Sequence, residues 1–196
     1  MGKPADFRHL GDAPKFEGHH ISVVEASFAA PDGSVFRRDV VRHPGAVAVV
    51  PVTDRATVLL VRQYRGAVDR HLLEIPAGTC DVSGERPEET ARRELQEEAG
   101  ARAGRIQLVA EIFNTPGFCD ERSLIYLATD LQPCDSSRKG EEEEHMEVVE
   151  VPLADIDEMV GDGRLVDGQT ILGLLVARQY LDAASPALRD IGQAGP

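Results

Sequence analysis

The chain has 196 residues, which is enough for one domain of ordinary size with some extra elements. It is 42% hydrophobic and 28% charged, as in proteins that bury a core and stay soluble, and no apolar run approaches the roughly 20 residues that span a bilayer. The formal net charge of −13 disfavours nucleic acids and anionic membranes as partners. An anionic small substrate would need arginines or a divalent metal at its binding site.

The first elements in chain order form a β-rich N-terminal unit. Residues 1–18 show no sustained periodicity and are expected to form an arm. Residues 21–29 are rich in β-forming side chains and predict a strand. After the turn-forming residues Pro31-Asp32-Gly33, residues 34–42 predict a second strand. We therefore expect an antiparallel β element that ends near residue 44.

Strands and helices are mixed in the rest of the chain, which predicts an α/β layered fold. Pro87 suits the first turn of a helix and Gly100 suits the left-handed position after its end. We expect a catalytic domain over 45–184 and a flexible tail over 185–196. The predicted elements are strands at 46–52, 58–61, 72–75, 107–113, 123–129 and 147–151, and helices at 87–99, 153–161 and 169–183.

Cysteine usage and the N-terminus bear on the cellular compartment. The three cysteines, Cys80, Cys119 and Cys134, show no spacing typical of a zinc site or a redox pair. Free thiols suit a reducing compartment. The first six residues include the charged Lys3 and Asp6 and lack the apolar stretch of a signal peptide. We therefore expect a cytoplasmic protein.

The predicted helix at 87–99 carries an unusual group of acidic residues. Glu94, Glu97 and Glu98 are three or four positions apart, so their carboxylates share one helix face. Like charges at this spacing cost roughly 0.2–0.5 kcal/mol per pair, and the C-terminal half of a helix disfavours negative charge. Either the face is solvated, or it holds a divalent cation such as Mg²⁺, which prefers carboxylate oxygens. The three residues alone leave both interpretations open.

The surrounding residues extend this pattern. They are Gly78, Glu85, the run Arg93-Glu94-Leu95-Gln96-Glu97-Glu98, and Gly100. This series closely resembles the Nudix box, G-x5-E-x7-R-E-U-x-E-E-x-G-U, in which U is an aliphatic residue. There are two departures: six residues instead of five separate Gly78 from Glu85, and Ala101 takes the last aliphatic position. The extra residue precedes the helix, where insertions are best tolerated, so the helical spacing is unaffected.

The resemblance to the Nudix family implies a fold, a metal and a chemistry. The fold is an α/β/α sandwich with a mixed sheet, and the cofactor is Mg²⁺ or Mn²⁺. In such enzymes the metal polarises a diphosphate and lowers the pKa of a bound water. An ion pair between Glu85 and Arg93 would fix the loop to the helix. The implied metal ligands are Glu94, Glu97, Glu98 and the main-chain carbonyl of Ala77.

Three further features resemble the ADP-ribose pyrophosphatases within this family. Gln63-Tyr64-Arg65 precedes Glu74-Ile75-Pro76-Ala77-Gly78, and Pro116 lies 16 residues after Gly100. The N-terminal hairpin is similar to the element that these enzymes exchange between the subunits of a homodimer. The implied reaction is hydrolysis of ADP-ribose to AMP and ribose 5-phosphate. The alternatives are a Nudix hydrolase of a nucleotide sugar, NADH or another diphosphate, and, less favoured, a non-catalytic ADP-ribose sensor.

The same resemblance implies substrate-binding residues. Arg65 would contact the phosphates or the terminal ribose, because a guanidinium matches phosphate oxygens bidentately. Glu74 would orient the substrate or support the metal site. Arg37 and Arg38 on the N-terminal hairpin would reach the adenosine bound by the neighbouring subunit. Pro116 would lie at the substrate site.

The resemblance also implies a general base, on a loop before the strand at 147–151. The run Glu141-Glu142-Glu143-Glu144-His145 occupies that place. Spacing favours Glu144, with Glu143 next, while Glu142 and His145 stay open as alternatives. Four adjacent glutamates are also typical of a solvated loop, and lid loops that close over substrates are often mobile.

Overall fold

The N-terminal residues form a three-stranded antiparallel sheet in the computed structural model, which describes residues 6–136, 138 and 144–184. Its strands are β1 (Arg8–Glu17), β2 (Ser22–Ala29) and β3 (Val35–Arg42), with β2 in the centre. The sequence predicted no strand before residue 21, so it missed β1 within the expected arm. Every residue of β1 is exposed, so the strand lacks the buried face that produces an alternating hydrophobic pattern.

Within the described ranges, seven further strands form two sheets. A mixed sheet has the order β7-β4-β9-β8, in which β4 and β9 run parallel and the other pairs run antiparallel. An antiparallel sheet has the order β10-β5-β6. The strands are β4 (Ala46–Pro51), β5 (Thr57–Arg65), β6 (Arg70–Glu74), β7 (Ala77–Thr79), β8 (Ala101–Phe113), β9 (Arg122–Pro133) and β10 (Glu147–Pro152).

Three α-helices accompany these sheets in the described part of the chain. They are α1 (Pro87–Ala99), α2 (Ile156–Gly161), which follows a short 3₁₀ turn, and α3 (Gly168–Ala184). Helix α1 has the predicted bounds, and Gly100 ends it with φ of 61° in the left-handed region. None of these described helices is long and apolar enough to cross a membrane.

The core lies on both faces of β4, a strand that is buried along its whole length. On one face, Val47 and Val49 pack in a cluster with Leu95 of α1. On the other face, Val50 packs in a cluster with Leu174 of α3. A strand covered on both sides has a continuous apolar sequence, as residues 46–52 do. The helices on the two faces of this strand confirm the predicted α/β/α sandwich. The packing of Leu95 against Val47 and Val49 holds α1 against β4.

Candidate metal and substrate site

Three of the five glutamates of α1 are buried, contrary to what a solvated acidic face requires. The exposed fractions of Glu94, Glu97 and Glu98 are 8%, 9% and 3%. Ionised carboxylates are almost never this buried unless a cation or several hydrogen-bond donors compensate them. The structure therefore rejects the solvated-face interpretation of this helix.

Arg93 links these carboxylates to the loop before the helix. Its Nη1 donates to Glu94 Oε1 at 2.7 Å and to Glu97 Oε2 at 3.1 Å. Its Nη2 donates to Glu85 Oε2 at 3.1 Å, and its Nε donates to Glu85 Oε1. The hydrogen bond with Glu85 is the main cause that raises the pKa of Arg93, and it lowers the pKa of Glu85. One guanidinium thus holds the loop and two buried carboxylates together.

Strand β7 lies against two of the three buried glutamates, Glu94 and Glu98. The N–H of Ala77 donates to Glu98 Oε2 at 3.0 Å. At Gly78, a Cβ atom would lie 2.1 Å from both Cδ and Oε1 of Glu94, so a side chain at this position would overlap the carboxylate. The absence of a side chain at Gly78 is what lets the backbone and the Glu94 carboxylate pack together.

The donor set fits a hard divalent cation. Among the described residues, no three acidic, histidine or cysteine side chains already converge as metal ligands. In this arrangement Glu94 and Glu97 accept hydrogen bonds from Arg93. The carboxylates are nevertheless buried side by side, beside the backbone of residues 77–78. Oxygen ligands of this kind are those that Mg²⁺ and Mn²⁺ accept.

An open cleft of about 860 Å³ lies next to these glutamates. Ala77 and Gly78, which contact the glutamates, form part of its lining. A cleft of this size accommodates a nucleotide-sized ligand. The polar residues that line it include His43, Arg65, Glu74, Asn114, Glu121 and Gln169.

Arg65 and Glu74 form an ion pair in the cleft. Nε of Arg65 donates to both carboxylate oxygens of Glu74, at 3.1 and 2.9 Å. Glu74 is 5% exposed, and its burial raises the pKa of the carboxyl group, an effect that Arg65 opposes. The arginine side chain is 40% exposed. A buried carboxylate thus orients a guanidinium that remains accessible from the cleft.

Other residues with predicted roles lie outside the lining of the cleft. Arg37 and Arg38 are exposed on β3, where Arg37 pairs with Glu25 and the guanidinium of Arg38 lies 4.8 Å from the centre of the Phe36 ring. Pro116 is exposed in a turn that follows the lining residue Thr115.

The predicted base falls partly outside the described residues. Glu144 and His145 are described and exposed, just before β10. Glu141, Glu142 and Glu143 lie outside the described residues.

Sequence reasoning missed several residues of the cleft. His43, Asn114, Glu121 and Gln169 line it but carry no motif and no recognisable spacing. His43 Nδ1 accepts the N–H of Gly45 at 3.0 Å, so the neutral ring carries its proton on Nε2. Only the fold brings these residues together, because they come from three separate parts of the chain: the end of β3, the segment between β8 and β9, and α3.

Arg138 was also missed, and it contacts the C-terminus of α1. Its Nη2 donates to the carbonyl oxygen of Glu98 at 3.1 Å, and its Nη1 donates to the carbonyl oxygen of Met146. The last turn of α1 has no basic residue of its own. Arg138 therefore supplies the positive charge that favours a helix C-terminus and links it to the segment that precedes β10.

The role of Arg93 can be tested through stability. In Arg93→Met, three acidic side chains that are at most 18% exposed lose their arginine, so we expect the free energy of unfolding to fall by about 2–4 kcal/mol in a metal-free buffer. Added Mg²⁺ is expected to recover part of this loss, because it neutralises the same carboxylates. Urea unfolding with and without Mg²⁺ measures both effects.

The adjacent Arg92 provides the matched control. Its side chain is 41% exposed and donates to Glu88 and to the carbonyl oxygen of Ala103, so Arg92→Met should cost about 1 kcal/mol, with no dependence on Mg²⁺. Equal losses in the two variants would contradict the role given to Arg93.

The chain is similar in sequence to a known protein family and to several characterised proteins. The family model described as the NUDIX domain matches residues 42–171. The chain is 37% identical to an ADP-ribose pyrophosphatase of Bacillus subtilis, over 85% of this chain and 87% of the relative. It is 36% identical to an ADP-ribose pyrophosphatase of Mycobacterium tuberculosis, over 87% of this chain and 82% of the relative.

A solved structure of an ADP compounds hydrolase has a similar fold. It aligns with a TM-score of 0.78, covering 94% of this chain and 99% of that chain, at 24% sequence identity. This likeness supports the fold, while the matched family model and the two relatives establish the family. The chain belongs to the Nudix domain family.

Proposed function

We propose that this protein hydrolyses the diphosphate bond of ADP-ribose, giving AMP and ribose 5-phosphate. The observation that carries the proposal is the burial of Glu94, Glu97 and Glu98 beside a cleft that also contains a charged arginine. The two ADP-ribose pyrophosphatases, which align over most of the chain, support the choice of substrate.

We propose that Glu94, Glu97 and Glu98, with the carbonyl oxygen of Ala77, hold a divalent ion, Mg²⁺ or Mn²⁺. Such an ion, when bound, polarises the diphosphate and lowers the pKa of a water molecule that attacks phosphorus. Arg93 and Glu85 would keep the helix and the preceding loop in place, because their hydrogen bonds join the two.

We propose that Arg65 binds the phosphates or the terminal ribose of the substrate. Among the described hydrogen bonds of Arg65, only Nε donates to Glu74, so the two terminal NH₂ groups can donate to phosphate oxygens. Glu74 holds the guanidinium in one orientation. This reduces the entropy lost when the substrate binds.

We propose Glu144 as the general base, with Glu143 as the next candidate and with Glu142 and His145 as alternatives. The exposure of Glu144 suits a group that approaches a substrate only when a loop closes. Met146, two residues after Glu144, is buried, and its carbonyl oxygen accepts a hydrogen bond from Arg138. Arg138 also donates to the carbonyl oxygen of Glu98, so Met146 is linked to the end of α1.

We further propose a cytoplasmic homodimer in which residues 1–44 are exchanged between the catalytic domains at 45–184. The support is the N-terminal sheet, which leaves Phe7, Phe16 and Val35 at least 59% exposed. Exposed apolar side chains such as these can be covered by a partner subunit. In such a dimer Arg37 and Arg38 would be placed to reach the adenosine of the neighbouring subunit.

A substrate panel tests the proposed function. We expect hydrolysis to be fastest for ADP-ribose among ADP-ribose, GDP-mannose, NADH, ADP-glucose and diadenosine polyphosphates, with AMP as the nucleotide product from ADP-ribose, and to require Mg²⁺ or Mn²⁺. If another compound had a higher kcat/KM, the proposed diphosphate hydrolysis would stand, but that compound would replace ADP-ribose as the preferred substrate. Tight binding of ADP-ribose without turnover of any compound would refute the enzyme and support the sensor.

A further inference from the structure

A network of ion pairs leads from the N-terminal sheet to the wall of the cleft. Arg42, the last residue of β3, donates from Nε and Nη2 to the two carboxylate oxygens of Asp12 on β1, each at 3.0 Å. Its Nη1 donates to Asp120 Oδ2, also at 3.0 Å. Asp12 also contacts His9, at 2.6 Å. A single guanidinium therefore joins a strand of the N-terminal sheet to the segment that precedes β9.

Asp120 connects this network to a residue that lines the cleft. Its Oδ1 accepts the N–H of His43 at 2.8 Å, while its own N–H donates to the carbonyl oxygen of Val41 at 3.1 Å. The N–H of Val41 donates to the carbonyl oxygen of Phe118 at 2.7 Å. The segment 114–121 is thus attached to the end of β3 by its backbone and by Arg42.

This attachment determines the shape of one part of the cleft. Asn114, Thr115 and Glu121 belong to the attached segment, and all three line the cleft together with His43. Asp12 and Arg42 do not line it. A change at either of these two residues therefore makes no direct contact with the ligand, and acts through the position of the segment and His43 or through its charge.

Stability alone does not explain the network. The side chains of Arg42, Asp12 and Asp120 are 31%, 29% and 39% exposed, and ion pairs at such exposure contribute little to the free energy of unfolding. The guanidinium of Arg42 instead fixes the relative orientation of two carboxylates. It binds Asp12 bidentately and donates to Asp120 with its remaining NH₂ group. A lysine ammonium, which is a point charge, would not hold both carboxylates in this geometry.

We infer that Arg42 is a positioning residue for substrate binding, which holds His43 and residues 114–121 in place and makes the cleft depend on Asp12 of β1. This inference rests on the proposed hydrolase function. The glutamates of α1 are held separately, by Arg93 and by the N–H of Ala77. Arg42 therefore acts on the binding of the substrate and not on the chemical step.

Steady-state kinetics with the full chain test the inference. In Arg42→Gln and in the nearly isosteric Asp120→Asn, we expect KM for ADP-ribose to rise about tenfold, with kcat within about twofold of wild type. Asp12→Asn should raise KM in the same direction, although it lies outside the cleft. The control is Arg105→Gln, which removes an ion pair with Asp130 on exposed side chains and should change neither constant. Unchanged KM in Arg42→Gln, or a fall in kcat alone, would refute the inference.

Amide hydrogen exchange tests the same inference without turnover. In Arg42→Gln, the amides of His43 and Asp120 should exchange at least about tenfold faster than in wild type and in Arg105→Gln. Arg42 holds the carboxylate of Asp120, which accepts the N–H of His43, and it thereby also holds Asp120 itself, whose own N–H donates to Val41. Unchanged exchange at these two amides would overturn the role of Arg42 even if the wild type hydrolyses ADP-ribose. If the wild type shows no turnover, the proposed function fails, while the exchange result still decides whether Arg42 holds the cleft wall.

Discussion

Replacing Glu98 by glutamine is expected to lower kcat by at least about 100-fold, with little change in folding. Glu98 is the most buried of the three glutamates, at 3% exposure, and its Oε2 accepts the N–H of Ala77. Glutamine has the same shape and keeps an oxygen that can accept this hydrogen bond. It loses the negative charge, and a neutral amide oxygen binds a divalent cation more weakly than a carboxylate does.

The measurement is kcat for ADP-ribose at saturating Mg²⁺, together with the melting temperature of each variant. The matched control is Glu88→Gln on the same helix, where a side chain that is 47% exposed pairs only with Arg92 among the described contacts. We expect Glu88→Gln to keep kcat within about twofold. If Glu98→Gln retained wild-type turnover, the metal assignment for α1 would be wrong.

Replacing Gly78 by alanine is expected to reduce kcat by about 100-fold while the protein still folds. The new methyl group would lie 2.1 Å from the carboxylate carbon of Glu94, so this carboxylate must move. It is the far end of a flexible side chain, so the backbone can stay in place. The substitution should therefore displace Glu94, a proposed metal ligand, and lower catalysis more than it lowers the free energy of unfolding.

Gly161→Ala is the control for this substitution. A Cβ atom at Gly161 would meet nothing within 4 Å, and its backbone is not in the left-handed region, so kcat and the melting temperature should stay unchanged. Wild-type kcat in Gly78→Ala, with the added methyl group verified, would show that Glu94 need not occupy its present position for catalysis.

The sequence predicted those elements that a local pattern defines. The continuous apolar run of β4 and the proline and glycine that flank α1 gave their bounds closely, because each depends on neighbours in the chain. Strand β1 was missed because none of its residues is buried. Its pairing with β2 depends on backbone hydrogen bonds, which leave no mark on the pattern of side chains.

The residues of the candidate site are likewise of two kinds: those that a local sequence pattern predicts and those that only the fold brings together. The spacing of the glutamates on α1 follows from helical geometry, so the sequence was enough to group them. Their burial was not predictable, because it depends on β7 packing against the helix at Gly78. His43 and Glu121 could not be predicted for a similar reason. They are 78 positions apart, and both line the cleft where Asp120 and Arg42 join β3 to the segment before β9.

The most direct test of the central claim is a metal titration of turnover, with the chelator-treated wild type and Glu98→Gln measured side by side. The initial rate of AMP release from ADP-ribose would be followed as Mg²⁺ is added. Our account predicts no release without metal, saturable recovery in the wild type, and little recovery in Glu98→Gln. Release that needs no metal, or the same response in both proteins, would contradict the claim that the buried glutamates of α1 hold the catalytic ion.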